Sequence, residues 1–515
     1  MTDAPQFPSP QKRALIIVTV MAATLMQALD GTIANVALPH MQAALGATPE
    51  SIAWVLTSYI ITSAIATPIS GWLESHFGRR RVLIIAITVF TASSALCGGA
   101  KSLELMVVAR AIQGIFGAFI IPLGIATLVD SSPPEKRAQA MTIWISGVMV
   151  GPIFGPVIGG WIVDTMDWRW IFFINIPVGA VAVLGCWLLI AEPKVEKRPF
   201  DLFGFALLAI ALSAFQLMLD RGPHLDWFES REILVETAIA IAAAWVFVIH
   251  SSTARNPLIP IAVFRDRNLV TSTFFIFVTS GVVYGGAALV APMLQHLMGY
   301  DTMTAGMVML PRGAATLVGM LMAGRLIKIV QARFVVAAGM LLTAFGLLIM
   351  TEFNLQMAGG PIIWSGILQG IGVGLVFMPL QLMAFDTLAP SLRTEGASLF
   401  SISRSLGSSI CISVLSALLA RNIQVSHADI GGRLTAVSAP YLDPGLSHAF
   451  GQSGNVIAAM VDAEINRQAM MIAYLDDYWL MMWAVFIALP MVLLLHKSAG
   501  RVPKSDGETP AILYE

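Results

Sequence analysis

Two ionisable residues stand inside long apolar runs, where a charge has no water to stabilise it. Asp30 lies within the run 14–38 and Arg110 within the run 103–129. An acid and a base held away from water can take up and release a proton, or can neutralise each other as a fixed structural pair. Both chemistries fit the residue types. On a helix, Gln27 and Ala34 share the Asp30 face at i−3 and i+4, which makes that face polar enough to line water. Gln27, Gln113, Tyr284 and Gln369 are the polar candidates for lining a solute path.

A second pattern is built from small residues. Gly147, Gly151, Gly155 and Gly159 recur at every fourth position, with Pro152, Pro156 and Gly160 beside them. Such a stripe lets another backbone approach closely, and the prolines remove backbone donors and ease bending. A plain dimer groove would account for the glycines alone; the doubled Gly-Pro points to a tightly packed element that can bend. The third pattern runs from Gly71 through Glu74 and Gly78 to Arg79, Arg80 and Arg81, with Asp130 as an acidic partner on the same side. It reads either as a topology signal or as an ion-pair latch that holds one conformation.

Other chemistry lacks its residues. No Walker loop, HExxH or GxSxG is present, and Gly370-Ile371-Gly372-Val373-Gly374 follows no soluble strand. The three cysteines, Cys97, Cys186 and Cys411, are far apart and form no CxxC pair, so neither a zinc site nor a disulfide framework is indicated.

The elements that must position these residues follow from composition. The chain has 515 residues, 57% hydrophobic and 12% charged, with a mean hydropathy of +0.78. That is about half the charge of an average soluble protein. The near-balance of 30 basic and 31 acidic residues gives no sign of a nucleic-acid binder. The expected class is an all-α polytopic membrane protein.

Fourteen segments are long and apolar enough to span a bilayer: 14–38, 51–73, 82–99, 103–129, 139–163, 171–191, 202–219, 232–250, 269–293, 302–326, 334–350, 361–384, 397–420 and 476–496. With a cytoplasmic N-terminus, twenty of the thirty Lys and Arg residues fall on inner segments, seven on outer ones and three within spans. Asp30 is then eight residues from the outer end of its span, about 12 Å, and Arg110 seven, about 10 Å. Matched depth makes them candidates for a pair, and no other mid-membrane acid is evident.

The chain also repeats. Gln113-Gly114 matches Gln369-Gly370 at an offset of 256, Pro122-Leu123 matches Pro379-Leu380 at 257, and Gly71 matches Gly324 at 253. This pairs spans 1–6 with 9–14 in parallel and leaves spans 7 and 8 as an insert, an arrangement in which a substrate site lies between halves. Arg110 corresponds to Gly366, so its charge is not part of the shared scaffold. The expected units are a cytoplasmic tail 1–13, a six-helix bundle 14–191, a linker 192–268 with two extra helices, a second bundle 269–496 with a long outer loop 421–475, and a tail 497–515.

Leu29-Asp30-Gly31-Thr32 through Pro39, Arg110 with Gln113-Gly114, and Gly151-Pro152-Ile153-Phe154-Gly155-Pro156 resemble the signatures of the fourteen-helix drug:proton antiporters of the major facilitator superfamily. Trp170 through Asn175-Ile176-Pro177, with Leu219-Asp220-Arg221-Gly222, is similar to the EmrB type. The resemblance implies a major-facilitator fold of two six-helix bundles plus two helices. It further implies export of hydrophobic or amphiphilic drugs by alternating access, driven by the proton-motive force without a cofactor. Asp30 would couple protons, Arg110 would be its basic partner, and the Gly-Pro helix would be the antiporter motif. The alternative is a narrow-specificity exporter or symporter. Implied surroundings are the cell inner membrane, a periplasmic membrane-fusion adaptor (EmrA-like) and an outer-membrane channel (TolC-like), with the 421–475 loop as a docking candidate. One departure is Ser75 where the loop motif usually carries Asp, with Glu74 one residue earlier; this puts the latch in doubt.

Overall fold

The computed structural model describes residues 7–52, 54–192, 199–389, 392–433 and 454–495. Residues 1–6, the inner-side basic residues Lys194, Lys197 and Arg198, the tail 497–515 and the middle of the 421–475 segment lie outside the described residues. Among the described residues every regular element is helical.

The helices are α1 (Pro10–Leu45), α2 (Trp54–Ala66, a 3-10 turn Thr67–Ile69, then Ser70–Phe77), α3 (Arg79–Gly98), α4 (Leu103–Ser131), α5 (Pro134–Thr165), α6 (Asn175–Leu189, after one turn Trp170–Phe173), α7 (Leu202–Arg221), α8 (Arg231–Thr253), α9 (Arg267–Pro292, continued by a π turn Met293–Leu297), α10 (Thr302–Leu326), α11 (Ala332–Met350), α12 (Gly359–Asp386), α13 (Arg393–Arg433) and α14 (Gly454–Ala488, then a 3-10 turn Leu489–Leu494). Twelve of them, all but α2 and α5, are long and apolar enough to cross a membrane. The 3-10 turn containing Pro68 splits α2 into pieces too short to qualify alone. Several α5 side chains lie outside the described residues. Both helices occupy expected span positions.

Local signals fix the ends. Ser9 caps α1 by accepting from the Lys12 amide, with Pro10 at the first turn, and Gly46 closes the helix in the left-handed conformation. Ser102, Asp266 and Asp301 cap α4, α9 and α10 in the same way.

The packing carries the repeat. In the first half α1 packs on α5 and α6, and α4 on α2 and α3; in the second, α9 packs on α13 and α14, and α12 on α10 and α11. Each pair recurs eight helices later. The halves meet where α5 packs on α10 and where α13 packs on α2 and α4. Helices α7 and α8 form a hairpin whose α7 touches α2 and α13 from outside. Apolar side chains of α8 such as Ile241, Trp245 and Val248 are exposed, as expected of a lipid-facing helix.

The last two helices differ from expectation. Helix α13 continues thirteen residues beyond the expected end at 420, and α14 begins at Gly454 rather than 476. The segment 421–475 is therefore helical at both ends, and within it only 434–453 lies outside the described residues. The reason is polarity: His427, Asp429, Arg433, Asp462, Glu464 and Arg467 end an apolar run without ending a helix. His427 pairs with Asp462 at 3.0 Å and Asn422 with Asp476 at 3.4 Å, so the two extensions lie side by side.

Candidate functional site

The centre of the first bundle is polar. Arg110 Nη1 donates to Asp30 Oδ2 at 2.6 Å and to Gln113 Oε1 at 2.8 Å. The other carboxylate oxygen, Asp30 Oδ1, accepts from Gln113 Nε2 at 2.9 Å and from Asn175 Nδ2 at 3.1 Å. Arg110 Nε donates to the Val55 carbonyl, and the guanidinium stacks over the Tyr59 ring at 4.4 Å. Asp30 is 3% exposed and Arg110 0%. The matched depth read from the sequence thus places the two residues in contact, on α1 and α4.

Burying two charges is costly unless their remaining hydrogen-bonding capacity is met. Here both carboxylate oxygens are occupied, and only Arg110 Nη2 lacks a partner among the described residues. Removing either residue would leave the other charge uncompensated. Nothing in the sequence marks Asn175 as part of this centre, although it lies within the EmrB-type motif that runs from Trp170 to Pro177. Its amide also donates to Ser94 on α3, which orients it toward Asp30.

The four solute-path candidates are not gathered in one place. Gln113 belongs to the Asp30 cluster and is fully buried; Gln27 donates to the Tyr59 hydroxyl at 3.4 Å. Gln369 is fully buried in the second bundle, and Tyr284 is partly buried on α9 there.

The glycine stripe of α5 faces α1. A Cβ at Gly151 would lie 3.1 Å from the Ala28 Cβ and the Leu29 nitrogen, and one at Gly159 3.1 Å from Ile33. A Cβ at Gly147 or Gly155 would meet Met21 or Thr32, whereas Gly160 has open space. The stripe brings α5 against the segment of α1 that carries Asp30. The side chains of Pro152 and Pro156 lie outside the described residues.

At the opposite end of α4, Arg79 pairs with Glu74, and with Asp130 at 2.9 Å. Glu74 therefore provides the acid that Ser75 lacks. Arg393, on α13 of the second bundle, donates to Asp130 at 2.8 Å. Beside it the Ser70 and Ser398 hydroxyls lie 2.6 Å apart, and a Cβ at Gly71 would press on the Glu395 side chain at 3.2 Å. Gly78 has φ +88°, a left-handed conformation that lets the chain turn into α3. Arg80 is not in the cluster: its guanidinium donates to the Trp187 carbonyl on α6. The reason is helical phase, since Arg79 and Arg80 point about 100° apart. Arg393 carried no signal in the sequence beyond its positive charge.

The expectation that Asp30 is the one mid-membrane acid needs correction. Asp477 is 1% exposed on α14, and neither of its oxygens has a hydrogen-bond partner among the described residues. The longer helix places it well inside α14 rather than at a span boundary. Among the described residues no group of three or more His, Cys, Asp or Glu is arranged to hold a metal.

Residues 20–412 match the family pattern of the Major Facilitator Superfamily. The multidrug export protein EmrB of Haemophilus influenzae is 33% identical over 488 residues, covering 93% of this chain and 95% of that protein. EmrB of Escherichia coli is 31% identical over 489 residues, covering 93% and 94%. The fatty acid resistance protein FarB of Neisseria gonorrhoeae is 33% identical, covering 83% and 84%. Among solved structures, the proton:xylose symporter XylE shares the fold at a TM-score of 0.61 and 13% identity, covering 95% and 96%. Repeated bundles, apolar helices and these relatives agree: the chain is a multi-pass membrane protein of the major facilitator superfamily, of the EmrB type.

Proposed function

We propose that this protein is a proton-driven antiporter that exports hydrophobic or amphiphilic toxic compounds by alternating access. The observation that carries the reading is the buried Asp30–Arg110 pair, held on α1 directly against the glycine stripe of α5. Protonating Asp30 cancels its attraction for Arg110 and frees the Gln113 and Asn175 amides, so proton binding alters what holds α1, α4 and α6 together. When the site faces outside, a proton enters; when it faces inside, Asp30 re-forms its pair and the proton leaves to water. One proton crossing 100 mV supplies about 2.3 kcal/mol before any pH gradient is counted.

Substrate class follows from the relatives, whose names specify multidrug export and fatty acid resistance. We place the protein in the cell inner membrane with both termini cytoplasmic, working with a periplasmic adaptor and an outer-membrane channel. The paired outer extensions of α13 and α14 are the surface we assign to the adaptor. Cysteines at Gln424 and Asp226 should then react with an impermeant reagent from outside, and one at Arg80 should not.

The deciding test uses inside-out vesicles that carry the protein and a proton gradient. Adding an amphiphilic drug should dissipate the gradient, and Asp30→Asn vesicles should not respond. A wild-type gradient that ignores every drug tried would refute proton-coupled export.

A further inference from the structure

The second bundle carries polar interior residues of its own, with the acid and the base on different helices. The offset that pairs Gly71 with Gly324 also pairs Tyr59 with Arg312, and the packing agrees. A Cβ at Gly114 would meet the Tyr59 carbonyl, and one at Gly370 would meet the Arg312 carbonyl. Gln113 corresponds to Gln369. On the sixth helix of each bundle, the Phe173 ring faces Gly98, and Leu475 lines an open surface depression with Thr351, the counterpart of Gly98. Two residues further on stand Asn175 and Asp477. The first bundle therefore carries its acid on the first helix and its base on the fourth, and the second carries its base on the second helix and its acid on the sixth.

The two bundles differ in the bonding of their buried acids. Asp30 has a partner on each oxygen, whereas Asp477 has none, and the fully buried Gln369 amide lacks a partner on both nitrogen and oxygen among the described residues. The stretch of α14 that carries Asp477 is built into an apolar core that includes Met471, Tyr474, Tyr478 and Met481 of the same helix, with Met293 and Leu415 from elsewhere in the bundle. The titratable groups that face it are Asp476, Tyr474 and Tyr478 on α14 and Cys411 on α13. A cation of the same bundle is Arg312 on α10, which donates to the Val283 carbonyl and adjoins Gly286 beside Met481. Met481 is one helical turn, about 6 Å, inward of Asp477. Among the described residues no cation forms an ion pair with the carboxyl, and a buried charge without compensation is strongly disfavoured.

We infer that Asp477 is a second proton-binding site, which holds its proton in this conformation and releases it when rearrangement brings Arg312 to it. On release the carboxyl O–H bond breaks, the proton passes to water, and the guanidinium, protonated throughout, compensates the carboxylate left behind. Its role in coupling rests on the exporter reading, but the proton itself can be tested without transport.

The test treats the purified full chain with dicyclohexylcarbodiimide, which adds to protonated carboxyls in apolar surroundings, and maps adducts by mass spectrometry. The expected result is an adduct on Asp477 at neutral pH and none on Asp30, whose carboxylate is paired. Above its midpoint the Asp477 adduct should fall about tenfold per pH unit. No adduct from mildly acid to mildly alkaline pH, with the same peptide modified in the unfolded chain, would overturn the proposal. In vesicles, Asp477→Asn should change the pH profile of drug-driven proton movement and Asp477→Glu should restore it. A wild-type profile in Asp477→Asn would also overturn it. If drugs move no protons through the wild type, the exporter reading fails while the labelling result stands.

Discussion

Arg393 donates to Asp130 across 263 residues of chain and ties the second bundle to the first at one end of the molecule. Asp130 is shared, since Arg79 binds its other oxygen. With Ser70 against Ser398 beneath it, this junction closes the side on which α2, α4 and α13 have their polar ends.

Loosening that junction should open the closed side. Asp130 is 41% exposed, so the pair contributes about 1 kcal/mol at most, equivalent to about a fivefold change in the balance of open and closed forms. In a background lacking the three native cysteines, Ser398→Cys should react faster with a thiol reagent once Arg393→Gln is added. An unchanged rate would show that the ion pair does not hold the closed form.

Within the first bundle, the two members of the buried pair should fail differently. Asp30→Asn keeps the side chain's shape and one acceptor oxygen but loses the charge paired with Arg110, which still holds the Val55 carbonyl, Gln113 Oε1 and the Tyr59 ring. The variant should fold and insert at somewhat reduced stability, bind drug and lose proton-driven efflux. Arg110→Ala leaves a buried carboxylate uncompensated at a cost of about 3–5 kcal/mol. Its melting temperature in detergent should fall clearly below that of Asp30→Asn. Equal thermal stability of the two variants would contradict the charge argument.

The α5 stripe gives a graded series. Gly151→Val forces atoms against the Ala28 and Leu29 backbone and should abolish transport, because α1 cannot then seat beside α5. Gly147→Ala meets only the flexible end of Met21 and should retain part of the activity. Gly160→Ala enters open space and should behave as wild type. Drug resistance at matched expression measures all three.

Outside the spans, Asp201 joins α7 and α8. It accepts from the Gly204 and Leu258 amides and lies 2.8 Å from His250 Nε2. Burial pushes its carboxyl up, but these hydrogen bonds outweigh it and hold the group below the usual carboxylate range. A lowered folded value means the stabilisation is full above the unfolded value of about 3.9 and is lost as pH falls through the folded one. Hydrogen exchange at the Gly204 and Leu258 amides should stay constant from neutral pH down to about 4, once intrinsic rates are divided out, and rise only below. Asp201→Ala should raise it at every pH and cost about 1 kcal/mol through loss of the cap.

Much of this was legible in the sequence because a bilayer imposes strict rules. Asp30 and Arg110 stood out as charges in apolar runs, and counting residues to the span ends gave their common depth. The stripe from Gly147 to Gly159 and the repeated Gln-Gly and Pro-Leu pairs were equally plain. What escaped depends on partners remote in the chain. Asn175 is an ordinary polar residue until α6 places it beside Asp30, and Arg393 counts only as a topology charge until α13 meets α4. Asp477 was hidden by hydropathy, which measures membrane and not helix, so a span drawn from 476 left it at a boundary.

Helix α13 runs unbroken from Arg393 to Arg433, 41 residues or about 60 Å. Its Arg393 end holds the junction with Asp130, and its Arg433 end is braced to α14 through His427 and Asp462. A rigid rod of that length acts as a lever. A tilt of 10° about the Arg393 end would sweep the Arg433 end through about 10 Å. Breaking the one ion pair at Arg393 would thereby be felt, mechanically and without any diffusing messenger, at the paired extensions of α13 and α14.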